Sequence, residues 1–99
     1  MRLFFQGAVI GFLGMGMACA PLQTSLYIRE AGQALREAQE QEAAERSPYA
    51  WTKAELYLEK AREKGGRSQY EQAMEYSKKA KQWALAARSQ AMSVPKEAP

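Results

Sequence analysis

Two consecutive glycines, Gly65 and Gly66, interrupt a run of helix-spaced small residues, and this break constrains the fold more than any other feature of the 99 residues. Before it, Trp51, Ala54, Leu58 and Ala61 recur every three or four positions, with Tyr57 beside them. After it, Tyr70, Ala73, Ser77, Ala80, Ala84, Ala87 and Ala91 do the same. Such spacing places each set on one face of an α-helix. Tandem glycine is a helix stop, because glycine accepts the left-handed backbone of a C-terminal cap. Ser68 followed by Glu71 reads as a capping box that starts the next helix. A stop followed at once by a start predicts a tight turn and two antiparallel helices. The hairpin runs from Ser47 to Ala91.

A third helix is expected upstream, from about Thr24 to Arg46. Ile28, Ala31, Leu35 and Ala38 carry its stripe, and Thr24 and Ser25 are its candidate N-caps. The stripe fades at Gln39-Glu40-Gln41-Glu42, which predicts a solvated end. Ser47-Pro48 should end this helix and begin the next, since proline cannot continue a helix but suits its first turn. Helices are expected over about Pro48 to Lys64 and Gln69 to Val94. Thr24 to Arg46 carries net charge −2 and Ser68 to Val94 net +2, which favours placing the first helix beside the last. The expected fold is all-α, a signal or anchor helix followed by a small antiparallel three-helix bundle. The expected segments are a signal peptide over 1–18, a lipid-anchor linker over 19–23, the helical domain over 24–94 and a disordered tail over 95–99.

Composition narrows the function classes. The chain has no histidine and a single cysteine, which removes the commonest general base and metal ligand, an intramolecular disulfide and a Cys-rich zinc site. A net charge of +3 is too small and too evenly spread to argue for nucleic acid. No pocket-forming motif or phosphate loop accompanies glutamate pairs such as Glu59 and Glu63. The sequence therefore points to no enzyme, no cofactor and no metal. A core built on alanine is thin, so modest stability is expected.

Arg2 followed by the uncharged stretch Leu3 to Ala18 reads as the n- and h-regions of a secretory signal. Membrane-spanning helices need roughly 20 apolar residues, and this run is shorter. Gly16-Met17-Ala18-Cys19 resembles a bacterial lipobox. Ala18 fits the position before the cysteine, whereas Gly16 and Met17 depart from the usual residues. The resemblance implies lipidation at Cys19. Ordinary cleavage after Ala20, cleavage after Ala18 without lipid, and an uncleaved anchor remain as alternatives. Ala20 and Pro21 do not resemble the Asp-type signal that retains lipoproteins at the inner membrane of enteric bacteria. The outer membrane, with the domain facing the periplasm, is therefore the expected location.

Gly66-Arg67-Ser68-Gln69-Tyr70-Glu71-Gln72-Ala73-Met74-Glu75-Tyr76-Ser77-Lys78-Lys79-Ala80 resembles the turn and second helix of a tetratricopeptide repeat, and Ala54, Leu58 and Ala61 suit its first helix. A single unit is present. More broadly, Ala31 to Ala87 resembles small bacterial envelope lipoproteins that carry an uncharacterised Ala-rich helical domain. Ser47-Pro48-Tyr49-Ala50 and the alanines from Ala54 to Ala87 carry that similarity. The resemblance implies no catalytic residues.

These features predict a lipid-anchored envelope protein acting as a helical interaction or scaffold module, its protein partner undefined. A homo-oligomeric helical spacer of the envelope is the alternative. Tyr49, Trp51, Tyr57, Tyr70, Tyr76 and Trp83 are the aromatic candidates for a docking surface. Core packing is the competing role for each of them. Tyr76 and Trp83, on a flank of the last helix, are selected as the partner surface.

Overall fold

The structure, a computed structural model, describes the backbone of residues 2–94 and the side chains of residues 20–94. The side chains of the expected signal segment, the side chain of Cys19 and the tail over 95–99 lie outside the described residues, whereas the backbone over 2–18 is helical. The described residues are all-helical, with four helices packed together: α1 (Arg2–Glu40), α2 (Ala43–Arg46), α3 (Pro48–Gly66) and α4 (Tyr70–Ser93). Both α1 and α3 pack mainly on α4 and much less on each other.

Alanine sets this arrangement. Ala73, Ala80, Ala84, Ala87 and Ala91 of α4 are fully buried, and so are Ala31 and Ala38 of α1 and Ala50, Ala54 and Ala61 of α3. Among the described residues, no side chain larger than that of Ser77 is completely removed from solvent. Leu35 and Leu58 are buried to within a few per cent. Facing methyl groups let helices approach closely, so contact is close while little apolar area is buried per residue. Ser77 fits the alanine stripe because its hydroxyl donates to the Ala73 carbonyl at 2.8 Å, leaving no unpaired polar group.

The expected start at Thr24 is not an end at all. α1 continues through Pro21, and Thr24 is an interior residue whose Oγ1 donates to the Ala20 carbonyl at 2.8 Å. Proline disrupts a helix but does not always end it. The polar run does solvate: Gln39, Glu40 and Glu42 are exposed. The chain turns there because Glu42 adopts the left-handed backbone, φ 60°. The short α2 then acts as an elbow. Its Arg46 donates to the carbonyls of Ala91 and Val94 at 3.4 and 3.1 Å and pairs with Glu42 at 3.2 Å. A guanidinium at these carbonyls satisfies acceptors that the end of α4 leaves free. Ser47 does not cap α3 with its side chain, and its hydroxyl bonds Gln90 of α4 instead.

The α3–α4 turn departs from the expected chemistry. Neither glycine is left-handed, and α3 includes both. The left-handed residue is Ser68, φ 62°. Gln69 N–H bonds the Lys64 carbonyl at 2.9 Å and Ser68 N–H bonds the Gly65 carbonyl at 3.1 Å. This is a Schellman motif with serine in the position where glycine is usual. The capping box is not formed, since Gln69 is the N-cap and no side chain caps α4. A Cβ on Gly65 would make an ordinary van der Waals contact, 3.4 Å, with Ile28 Cδ1 of α1, whereas one on Gly66 would meet nothing within 4 Å.

Two opposite exchanges at this turn, glycine in at Ser68 and glycine out at Gly66, should both stabilise. Ser68→Gly should stabilise by about 0.5–1 kcal/mol, because glycine adopts the left-handed backbone without a Cβ penalty. Gly66→Ala should stabilise by a similar amount, since alanine is the better helix former in open space. Thermal melting followed by circular dichroism reads both. A lower melting temperature for Gly66→Ala would return the cap to that glycine.

Candidate interaction surfaces

The six aromatic candidates do not form one surface. Trp83 is half-buried and packs against both core clusters, the one around Leu35, Leu58 and Ala84 and the one around Ala43, Ala50 and Ala87. Its ring meets Tyr49 of α3 edge-on, centroids 5.7 Å apart. Tyr76, also half-buried, stacks on Tyr57 of α3 at 6.0 Å. The structure thus places Tyr76 and Trp83 along one seam between α3 and α4, each paired with a tyrosine across it. Tyr70 stands at the turn, where its hydroxyl donates to Ser68 Oγ at 3.3 Å. Trp51 packs on the other flank of α3, where it touches both clusters.

Lysines close over the seam. Lys79 Nζ lies 5.6 Å from the Tyr57 ring centroid and 5.8 Å from that of Tyr76. Lys60 lies 5.6 Å from Tyr76, and Lys53 lies 5.7 Å from Tyr49. An ammonium over an exposed ring is worth about 0.5–1 kcal/mol. These rings therefore already hold cations, and Tyr49, 68% exposed, is the most open of them. The seam is a basic, aromatic strip that suits a partner able to exchange its own contacts for the lysines.

A second feature escaped the aromatic pattern. Because α1 and α3 both lean on α4, the outer side of their junction is an open groove of about 480 Å³. Leu35, Leu58 and Trp51 form its apolar floor, and Arg36, Arg62, Glu55 and Glu59 stand along its edges. Its signal in the sequence is weak, since Leu35-Arg36 and Leu58-Arg62 become neighbours only through the α1–α3 register. Between α1 and α4, Lys81 pairs with Glu30 at 3.4 Å and Arg88 with Glu37 at 3.9 Å. That is the contact favoured by the opposite charges of the two segments, though exposed pairs contribute little. Among the described residues no group of three acidic or cysteine side chains could hold a metal ion. No helix among them is long and apolar enough to cross a membrane.

Comparison with known protein families, characterised proteins and solved structures returns no match for this chain.

The position of Trp83 separates structure from surface. Trp83→Ala should destabilise by roughly 3 kcal/mol, because a large ring shared by two clusters leaves a cavity. Tyr49→Ala should have a much smaller effect. A double-mutant cycle between the two should return a coupling of about 0.5–1.5 kcal/mol from their edge-on contact, measured by chemical denaturation. A coupling of zero would mean that the two rings do not meet in solution.

Proposed function

We propose that this chain is a lipid-anchored protein of the bacterial cell envelope whose mature part is an antiparallel three-helix bundle serving as a protein-interaction module. The observation that carries the reading is the Arg2 to Cys19 leader, a positive residue and an uncharged stretch that end at the chain's one cysteine. Lipid at Cys19 would suit that leader physically. Each buried methylene adds about 0.8 kcal/mol of membrane affinity, and stable anchoring takes more than one acyl chain. The outer membrane, with the helices in the periplasm, is the proposed location. The reading includes no catalytic, cofactor or nucleic-acid role.

Three features support an interaction module over a catalyst. The chain has no histidine, its apolar groove is open, and the α3–α4 seam concentrates Tyr76, Trp83 and their partner tyrosines. Aromatic residues are favoured anchors in protein interfaces because they contribute large contact area at small entropic cost. The proposed docking surface is this seam, with Tyr49 and Tyr76 reached by the partner and Trp83 supporting them from behind. The resemblance to Ala-rich envelope lipoproteins and to a tetratricopeptide hairpin points the same way. A homo-oligomeric spacer is the second reading, favoured by the alanine stripes that permit close helix packing.

The anchor has a direct test. Intact-mass analysis of protein extracted from membranes should show a chain that begins at Cys19 and carries added acyl mass. Cys19→Ser should move the protein out of the membrane fraction. An unmodified soluble chain in the periplasm would refute the anchor. For the module, a photo-cross-linking residue in place of Tyr49 should capture a discrete envelope protein, and Tyr76→Ala should reduce that capture while helicity is kept. Capture of the chain by itself would favour the spacer.

A further inference from the structure

The groove between α1 and α3 lies on the other flank of α3 from the aromatic seam and raises a separate question of occupancy. Its floor is Leu35, Leu58 and Trp51. At one end, two guanidinium groups converge on Gly32. A Cβ on that glycine would lie 3.7 Å from Arg36 Nη1 and 3.9 Å from Arg62 Nη2. One arginine comes from α1 and the other from α3, so the tertiary fold brings two like charges together. Neither has a carboxylate within ion-pair distance among the described residues. Glu55 and Glu59 stand on the α3 edge, Glu59 about one turn and Glu55 two turns from Arg62, roughly 5 and 10 Å along the helix. The groove is therefore graded, positive over Gly32 and negative towards Glu55.

We infer that this groove receives one amphipathic helix of another protein, laid with its acidic end over Arg36 and Arg62. The fold leaves a vacant position beside its three long helices: α1 and α3 sit side by side on α4, and a helix on their outer side makes an arrangement of four long helices. An open groove suits a helix better than a small amphiphile. A helix presents leucine-like side chains to the floor and keeps its own polar face in water, whereas an acyl chain lying in an open groove stays half hydrated. Carboxylates of the partner complete the two guanidiniums and relieve their mutual repulsion. Charge also selects against a second copy. Two copies anchored by their N-termini in one membrane stand parallel, and groove-to-groove contact in that orientation brings all four arginines together.

This inference deepens the interaction-module reading, but its test is independent of the anchor and of the aromatic seam. The purified chain, with Cys19→Ser in place of any lipid, is titrated with two synthetic five-turn amphipathic helices. Both carry leucine at positions spaced three and four apart. One has two glutamates at the end of the stripe and the other has lysines there. Fluorescence anisotropy of the labelled peptides should show the glutamate peptide binding at least tenfold more tightly at low salt. Charge reversal with R36E and R62E together should invert the preference in favour of the lysine peptide. Circular dichroism should show unchanged helicity for that variant, since both side chains are exposed. Tyr76→Ala should leave the preference intact, which separates this groove from the seam. Equal binding of both peptides, binding of neither, or a preference that survives R36E and R62E would overturn the inference. So would a concentration-dependent dimer in sedimentation that R36E and R62E abolish, because the groove would then belong to a second copy.

Discussion

Everything in this fold depends on how closely α4 can be approached. Its inward face is almost entirely methyl groups and one internally bonded hydroxyl, so α1 and α3 both settle against it. Close contact gives many weak dispersion contacts but buries little area per side chain. Larger side chains are displaced to the margins. Trp51 and Trp83 sit half-buried where the alanine surfaces end, and Leu35 and Leu58 lie just beneath, under the groove. The thin core thus creates both the aromatic seam and the groove.

The two flanks of α3 differ in their electrostatics. On the α4 side, lysines spread over tyrosine rings, and each cation finds an aromatic face. On the α1 side, Arg36 and Arg62 meet over Gly32 without a carboxylate partner among the described residues. A cation resting on a ring is already partly compensated, whereas two guanidiniums held together gain strongly from an incoming acid. The same helix therefore presents a satisfied surface and an unsatisfied one, and the second is the more selective for charge.

The ends of the helices are held by tertiary contacts at the elbow and by a local motif at the α3–α4 turn. Ser47 bonds Gln90 of α4, Arg46 reaches the carbonyls that end α4, and Ser68 holds the left-handed position next to two glycines that remain helical. Gly65 lies against Ile28 of α1. Capping rules describe what an isolated helix end prefers, and a packed neighbour can outweigh a preference worth about 1 kcal/mol.

The sequence by itself determined the helical class, the face each helix buries and the site of the hairpin turn. Those follow from periodicity, which is local: Ala54, Leu58 and Ala61 share a face whatever they pack against, and Ala73 to Ala91 do likewise. It also put Tyr76 and Trp83 on the same flank of the last helix. Only the tertiary structure decided that Trp83 belongs to two core clusters, that Tyr76 stacks on Tyr57, and that Arg36 meets Arg62. Tyr57 and Tyr76 are 19 positions apart, Arg36 and Arg62 are 26 apart, and Trp83 packs on a cluster that reaches back to Ala31, 52 positions away; all are set by the register of helices whose alanine faces can slide and rotate on one another. The continuation of α1 through Pro21 and the left-handed Ser68 in place of a glycine cap are likewise not legible in a pattern of three and four, which marks a buried face and not a helix end.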